Sequence, residues 1–105
     1  MRIQVKYPES PPHEVELLGR VSIVGRDPSC DLVVHDVKCS RRHAVLETGP
    51  DGVTVRDSGS ANGVFVNGQR IERAVLRAGD VVSLGRVQVT LLPGAGGGPG
   101  GGALV

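Results

Sequence analysis

Three short polar clusters hold the residues whose types could do chemistry: Gly25-Arg26, Ser40-Arg41-Arg42-His43 and Asn62-Gly63. Arginine offers a planar fork of donors, serine a compact hydroxyl, and asparagine an amide that both donates and accepts. Brought together, such groups suit a phosphorylated peptide. Arginine and serine would hold the phosphate, while asparagine pairs with peptide main chain. His13, His35 and His43 stand in no sequence arrangement with a nucleophile, so the pattern points to recognition rather than reaction.

The elements that must position these clusters read as strands. Period-two alternation recurs along the chain and helical periodicity is nowhere convincing. Ile3, Val5 and Tyr7 mark a first strand, which Pro8, Pro11 and Pro12 end. Residues 15–18 and 21–24 read as a pair joined at Gly19-Arg20, followed by a loop and a short run over 32–34. Pro50-Asp51-Gly52 predicts a hairpin between 44–48 and 53–56, and Asn67-Gly68 predicts a second between 64–66 and 69–72. Ala78-Gly79-Asp80 leads into 81–84, and Gly85-Arg86 turns the chain into 87–92, with Arg86 read as a solvated turn residue. Roughly ten short strands at this spacing indicate an all-β sandwich or barrel, with each cluster in a loop where a strand ends.

Composition agrees. The chain has 105 residues, one domain's worth, and 39% of them are hydrophobic, nearly all Val, Leu and Ile. One Tyr, one Phe and no Trp leave a core of branched aliphatic side chains, which favours strands. A net charge of +1 supplies no global attraction to nucleic acid, and the stacking aromatics of a single-strand binder are missing. No apolar run is long enough to span a bilayer and the amino-terminal residues do not read as a signal peptide, so a cytoplasmic location is expected. Residues 94–102 hold one Ala, one Pro and otherwise Gly, which reads as a flexible tail or linker. It superficially fits a dinucleotide fingerprint, but no helix can follow it.

The order of the motifs is similar to that of the forkhead-associated (FHA) family: Gly-Arg, then Ser-Arg-x-His, then Asn-Gly-x-Phe-Val-Asn-Gly, then Gly-Asp. The resemblance covers residues 1–92, with 93–105 as the tail. It implies a sandwich of about eleven strands that binds phosphothreonine peptides through loops at one end. Carried over residue by residue, Arg26 and Ser40 resemble the phosphate-binding pair, and Arg41 would lie beside the phosphate or reach the peptide backbone. Asn62 resembles the residue that bonds the peptide main chain. The resemblance makes His43 a structural tie beneath the loops, and Gly25 and Gly63 positions of close approach or unusual dihedrals. It implies no cofactor. A phosphothreonine protein would be the partner, a Ser/Thr kinase would act upstream, and an effector domain could lie in a longer parent protein.

The chain departs from the family pattern at Ala61, where Thr or Ser is common. The lost hydrogen bond would cost about 1.5–3 kcal/mol if charge-assisted, roughly ten- to hundredfold in affinity. Ser60 could supply a hydroxyl instead, and Lys38 and Arg42 add positive charge around the same loop. The departure keeps open a second reading with the same fold, a scaffold that docks partners without phosphorylation. Cys30, His35, Cys39 and His43 also form a conceivable Cys2His2 zinc set. Their spacing lacks a tight Cys-x-x-Cys knuckle, and the cysteines read as small buried hydrophobes.

Overall fold

The computed structural model describes residues 1–50 and 52–93. The expected Gly-rich tail and the Asp51 turn position lie outside the described residues. Among the described residues eleven strands form: β1 (Arg2–Lys6), β2 (His13–Glu16), β3 (Val21–Gly25), β4 (Leu32–Val33), β5 (Ala44–Gly49), β6 (Gly52–Asp57), β7 (Val64–Val66), β8 (Gln69–Ile71), β9 (Arg73–Leu76), β10 (Val81–Leu84) and β11 (Val87–Leu91). One sheet runs β2-β1-β11-β10-β7-β8 and the other β4-β3-β5-β6-β9. All pairs are antiparallel except β3 with the two-residue β4.

Alternation dictates which face of each strand meets the other sheet. Ile3 and Val5 of β1, Val82 and Leu84 of β10, and Val87, Val89 and Leu91 of β11 enter the core from one side. Val24, Ala44, Leu46, Val53, Val55 and Leu76 enter it from the other. Each fully buried aliphatic side chain contributes about 1.5–3 kcal/mol, so this Val- and Leu-rich seam can hold the sandwich without an aromatic anchor.

Both expected hairpins form. Asn67 takes φ 52° and Gly68 φ 87°, the left-handed pair that a two-residue turn of this twist requires. The expected pairing of 15–18 with 21–24 does not form. β2 pairs with β1 in one sheet, whereas β3 lies in the other, so residues 17–20 carry the chain across between sheets. Alternation alone cannot distinguish a hairpin from a crossover, because both leave two apolar runs around a Gly. The Leu17 N–H meets the Met1 carbonyl at 2.7 Å and fixes the crossing. β9 is the strand that the sequence hides: only Glu72 separates it from β8, so the two read as one run and a loop.

Register places the three polar clusters together. The carboxyl end of β3, the start of β5 and the end of β6 are adjacent, with Val24 opposite Ala44 and Ala44 opposite Asp57. The start of β7 and the end of β10 meet at the same end, where Leu84 faces Val64. Asn67-Gly68 turns at the opposite end, which separates it from Asn62.

Candidate phosphopeptide site

Backbone contact between two loops builds the floor of the site. The Arg26 N–H donates to the Ser40 carbonyl at 3.0 Å, and the Asp27 N–H to the Arg41 carbonyl at 3.1 Å. This approach requires Gly25. A Cβ there would overlap the Arg41 carbonyl oxygen and lie 2.7 Å from its carbon and 2.9 Å from Arg42 Cα, so no neighbour could yield without moving backbone. The Arg26 Nε donates to the Cys39 carbonyl at 3.0 Å, which aims the guanidinium along the second loop. No ion pair with Asp27 or Asp31 holds it.

His43 joins that loop to the third. It is wholly buried, and its Nδ1 lies 3.0 Å from the Ser40 N–H while Nε2 lies 2.7 Å from the Gly63 carbonyl. A backbone N–H can only donate and a carbonyl can only accept, so Nδ1 is the acceptor and Nε2 carries the proton. One imidazole thus fixes the backbone of both Ser40 and Gly63. With both nitrogens engaged, His43 has no lone pair left for the conceivable zinc set. Burial pushes the Cys39 thiol up to about 11 and raises that of Cys30.

The Ser40 side chain and the 58–63 loop meet directly. Ser40 Oγ accepts the Ala61 N–H at 3.0 Å, and the Asn62 Nδ2 donates to the Lys38 carbonyl at 2.7 Å. These bonds orient both groups at the exposed rim and leave the Ser40 O–H free to donate. Ser60 is placed in the wall of the loop: its Oγ accepts the Gly63 N–H at 3.0 Å and its N–H donates to Asp57 Oδ1 at 2.8 Å. Burial works to raise the Asp57 carboxyl, but hydrogen bonds from the Ser60 backbone and side chain outweigh it and hold it below the ordinary value. Gly63 sits at φ 88°, a left-handed position that closes the turn.

All eight residues expected from the sequence therefore lie at one end of the sandwich. Arg26, Ser40, Arg41 and Asn62 line the rim, Ser60 and Gly63 shape one loop, and Gly25 and His43 lie below. Sequence reasoning did not find the Lys38 carbonyl or the role of Asp36. Asp36 opens the second loop as a buried acid, and Arg86 donates to it through its N–H at 2.8 Å, Nε at 3.0 Å and Nη2 at 2.7 Å. Arg86 is thus more than the solvated turn residue expected: its exposed guanidinium is the counter-ion of a buried carboxylate.

This cluster of polar loop residues at one end of a β-sandwich belongs to a fold that known proteins share. The family model described as FHA domain fits residues 22–85. The chain belongs to the FHA family. It is 42% identical over 71 residues to the ABC transporter ATP-binding/permease protein Rv1747 of Mycobacterium tuberculosis, a match covering 68% of this chain and 8% of that protein. It is 38% identical over 74 residues to the glycogen accumulation regulator GarA of the same organism, covering 70% of this chain and 46% of GarA. The chain thus corresponds to less than half the length of either relative. The FHA domain of the CT664 protein from Chlamydia trachomatis superposes with a TM-score of 0.79 at 35% identity, over 87% of this chain and 94% of that one. Homologues in the FHA family are interaction modules of signalling proteins.

Proposed function

We propose that this FHA domain binds a phosphothreonine peptide and thereby recruits a protein that a Ser/Thr kinase has modified. One observation supports the reading above the others: Arg26, Ser40 and Asn62 are each fixed by a bond from another loop while keeping polar atoms to spare. Arg26 uses Nε and keeps its terminal nitrogens, Ser40 uses a lone pair and keeps its proton, and Asn62 uses Nδ2 and keeps Oδ1. A preformed set of donors needs little ordering when a dianionic phosphate arrives. Arg41, Arg42 and Lys38 add positive charge along the same rim. Asn62 Oδ1 would accept a peptide N–H beside the phosphothreonine.

In this role the domain is a reader and not an enzyme. It would act in the cytoplasm, and an effector domain of a longer parent protein would be one destination of the recruited partner. One specific feature favours a phosphate-independent scaffold as the second reading. Ala61 brings no hydroxyl, and Ser60 is turned into the loop wall, its Oγ accepting the Gly63 N–H and its side chain hydrogen-bonding Asp57. Titrating one threonine peptide in phosphorylated and unphosphorylated forms decides between them. The phosphate reading expects binding of the phosphorylated form alone, and equal affinities would establish the scaffold.

A further inference from the structure

We infer that Arg70 forms a second anion subsite beside the phosphothreonine cradle, selecting a peptide that carries a carboxylate or second phosphate near the phosphothreonine. The inference rests on the phosphopeptide reading above. Arg70 lies on β8 opposite Phe65, outside the three motif clusters. Its side chain reaches back over the bare Cα of Gly63, where a Cβ would lie 2.8 Å from Nε, 3.0 Å from Cζ and 3.2 Å from Nη2. The missing side chain of Gly63 is therefore the space in which the guanidinium rests. Gly63 is itself fixed, its carbonyl bonded to His43 and its N–H to Ser60, so this platform is rigid.

The other arginines near the cradle have partners or lie on its phosphate side. Arg86 is neutralised by Asp36, Arg26 is bonded to the Cys39 carbonyl, and Arg41 and Arg42 stand near Asp27. The Arg70 side chain makes no ion pair or hydrogen bond among the described residues, so its fork remains available for a bidentate carboxylate or phosphate. Its place over Gly63, the residue after Asn62, sets the distance. Adjacent Cα atoms are about 3.8 Å apart, and an extended peptide advances about 3.3 Å per residue. A peptide held by Asn62 would bring a residue within about three positions of the phosphothreonine under the Arg70 fork.

The test uses phosphothreonine peptides in a neutral background, with Glu, phosphoserine or Ala placed singly at each of three positions on either side. Wild type, Arg70→Gln and Arg26→Ala are titrated, each first shown to be folded by thermal melting. Wild type is expected to bind the Glu peptide at one position about fivefold tighter than its Ala counterpart, and the phosphoserine peptide tighter still. Arg70→Gln should bind every peptide as wild type binds the Ala peptide. An acidic preference that survives in Arg70→Gln, no preference in wild type, or an equal loss for all peptides in Arg70→Gln overturns the subsite while leaving the phosphothreonine reading intact. Failure of wild type to bind any phosphorylated peptide, or binding undiminished in Arg26→Ala, overturns the subsite together with the site assignment on which it rests.

Discussion

The Asp36 carboxylate and the Arg86 guanidinium, 50 residues apart in sequence, form a forked contact that fastens the β10–β11 turn to the loop carrying Ser40. Gly85, at φ 62°, makes the contact possible, because a Cβ there would lie 2.6 Å from Asp36 Oδ2. Two residues beyond Asp36, the Lys38 carbonyl receives the Asn62 amide. The turn therefore braces the loop that carries Ser40 and receives Asn62. Arg86→Ala would leave the buried carboxylate with one donor from the turn in place of three, and is expected to weaken phosphopeptide binding about tenfold. Calorimetric titration of the folded variant checks this, and unchanged affinity would separate the turn from the site.

Acid should reveal the same pair. Burial pushes the Asp36 carboxyl upward, but the hydrogen bonds and charge of Arg86 prevail and hold it below its ordinary 3.8. The unfolded carboxyl titrates near that ordinary value, so the folded state binds its proton less readily. The stabilisation is fully present above the ordinary value and is lost as pH falls through the lower, folded one. Asp36→Asn should therefore be less stable than wild type at pH 7, with the difference shrinking as pH falls below about 4. Urea unfolding at both pH values measures it, and a constant difference would contradict the assignment.

His43 should prove indispensable to the folded loops. His43→Ala leaves the Ser40 N–H and the Gly63 carbonyl without their partner in a dry interior, at about 1–3 kcal/mol for each orphaned group. The emptied volume adds to that cost. A fall of several kcal/mol in unfolding free energy, with binding lost in parallel, is the expected result of denaturant titration. A variant of wild-type stability would mean that the imidazole is not the tie between these loops.

Ala61 offers a gain of function. Its N–H already positions Ser40 Oγ, so a hydroxyl added at this residue would stand beside the cradle without displacing that bond. Ala61→Thr is expected to tighten phosphothreonine binding up to about tenfold through one further charge-assisted hydrogen bond. Equal affinities in the two proteins would show that the hydroxyl has no phosphate oxygen to reach.

What could be read from the sequence was whatever depends on local pattern. Alternation exposed the strands, Asn67-Gly68 its hairpin, and the ordered motifs brought Arg26, Ser40, His43 and Asn62 to one set of loops. What stayed hidden depends on pairing between distant segments. Nothing around Asp36 marks it as buried, or names Arg86 as its partner, until β10 and β11 lie in the sheet. Arg70 resembles any strand arginine until the chain folds it onto Gly63. The crossover at residues 17–20 was read as a hairpin because local pattern does not specify which sheet a strand joins. Ser60 looked like a substitute for the hydroxyl missing at Ala61, and only the fold directs its oxygen to the Gly63 N–H.

The most direct test of phosphothreonine recognition is titration of wild type and Arg26→Ala with a degenerate phosphothreonine peptide library. Arg26 is exposed, and its loss should leave the core and the melting temperature nearly unchanged. Wild type is expected to bind with micromolar affinity and the variant at least about thirtyfold more weakly, the equivalent of about 2 kcal/mol. Equal binding by the two folded proteins, or no phosphate-dependent binding by wild type, would contradict the account.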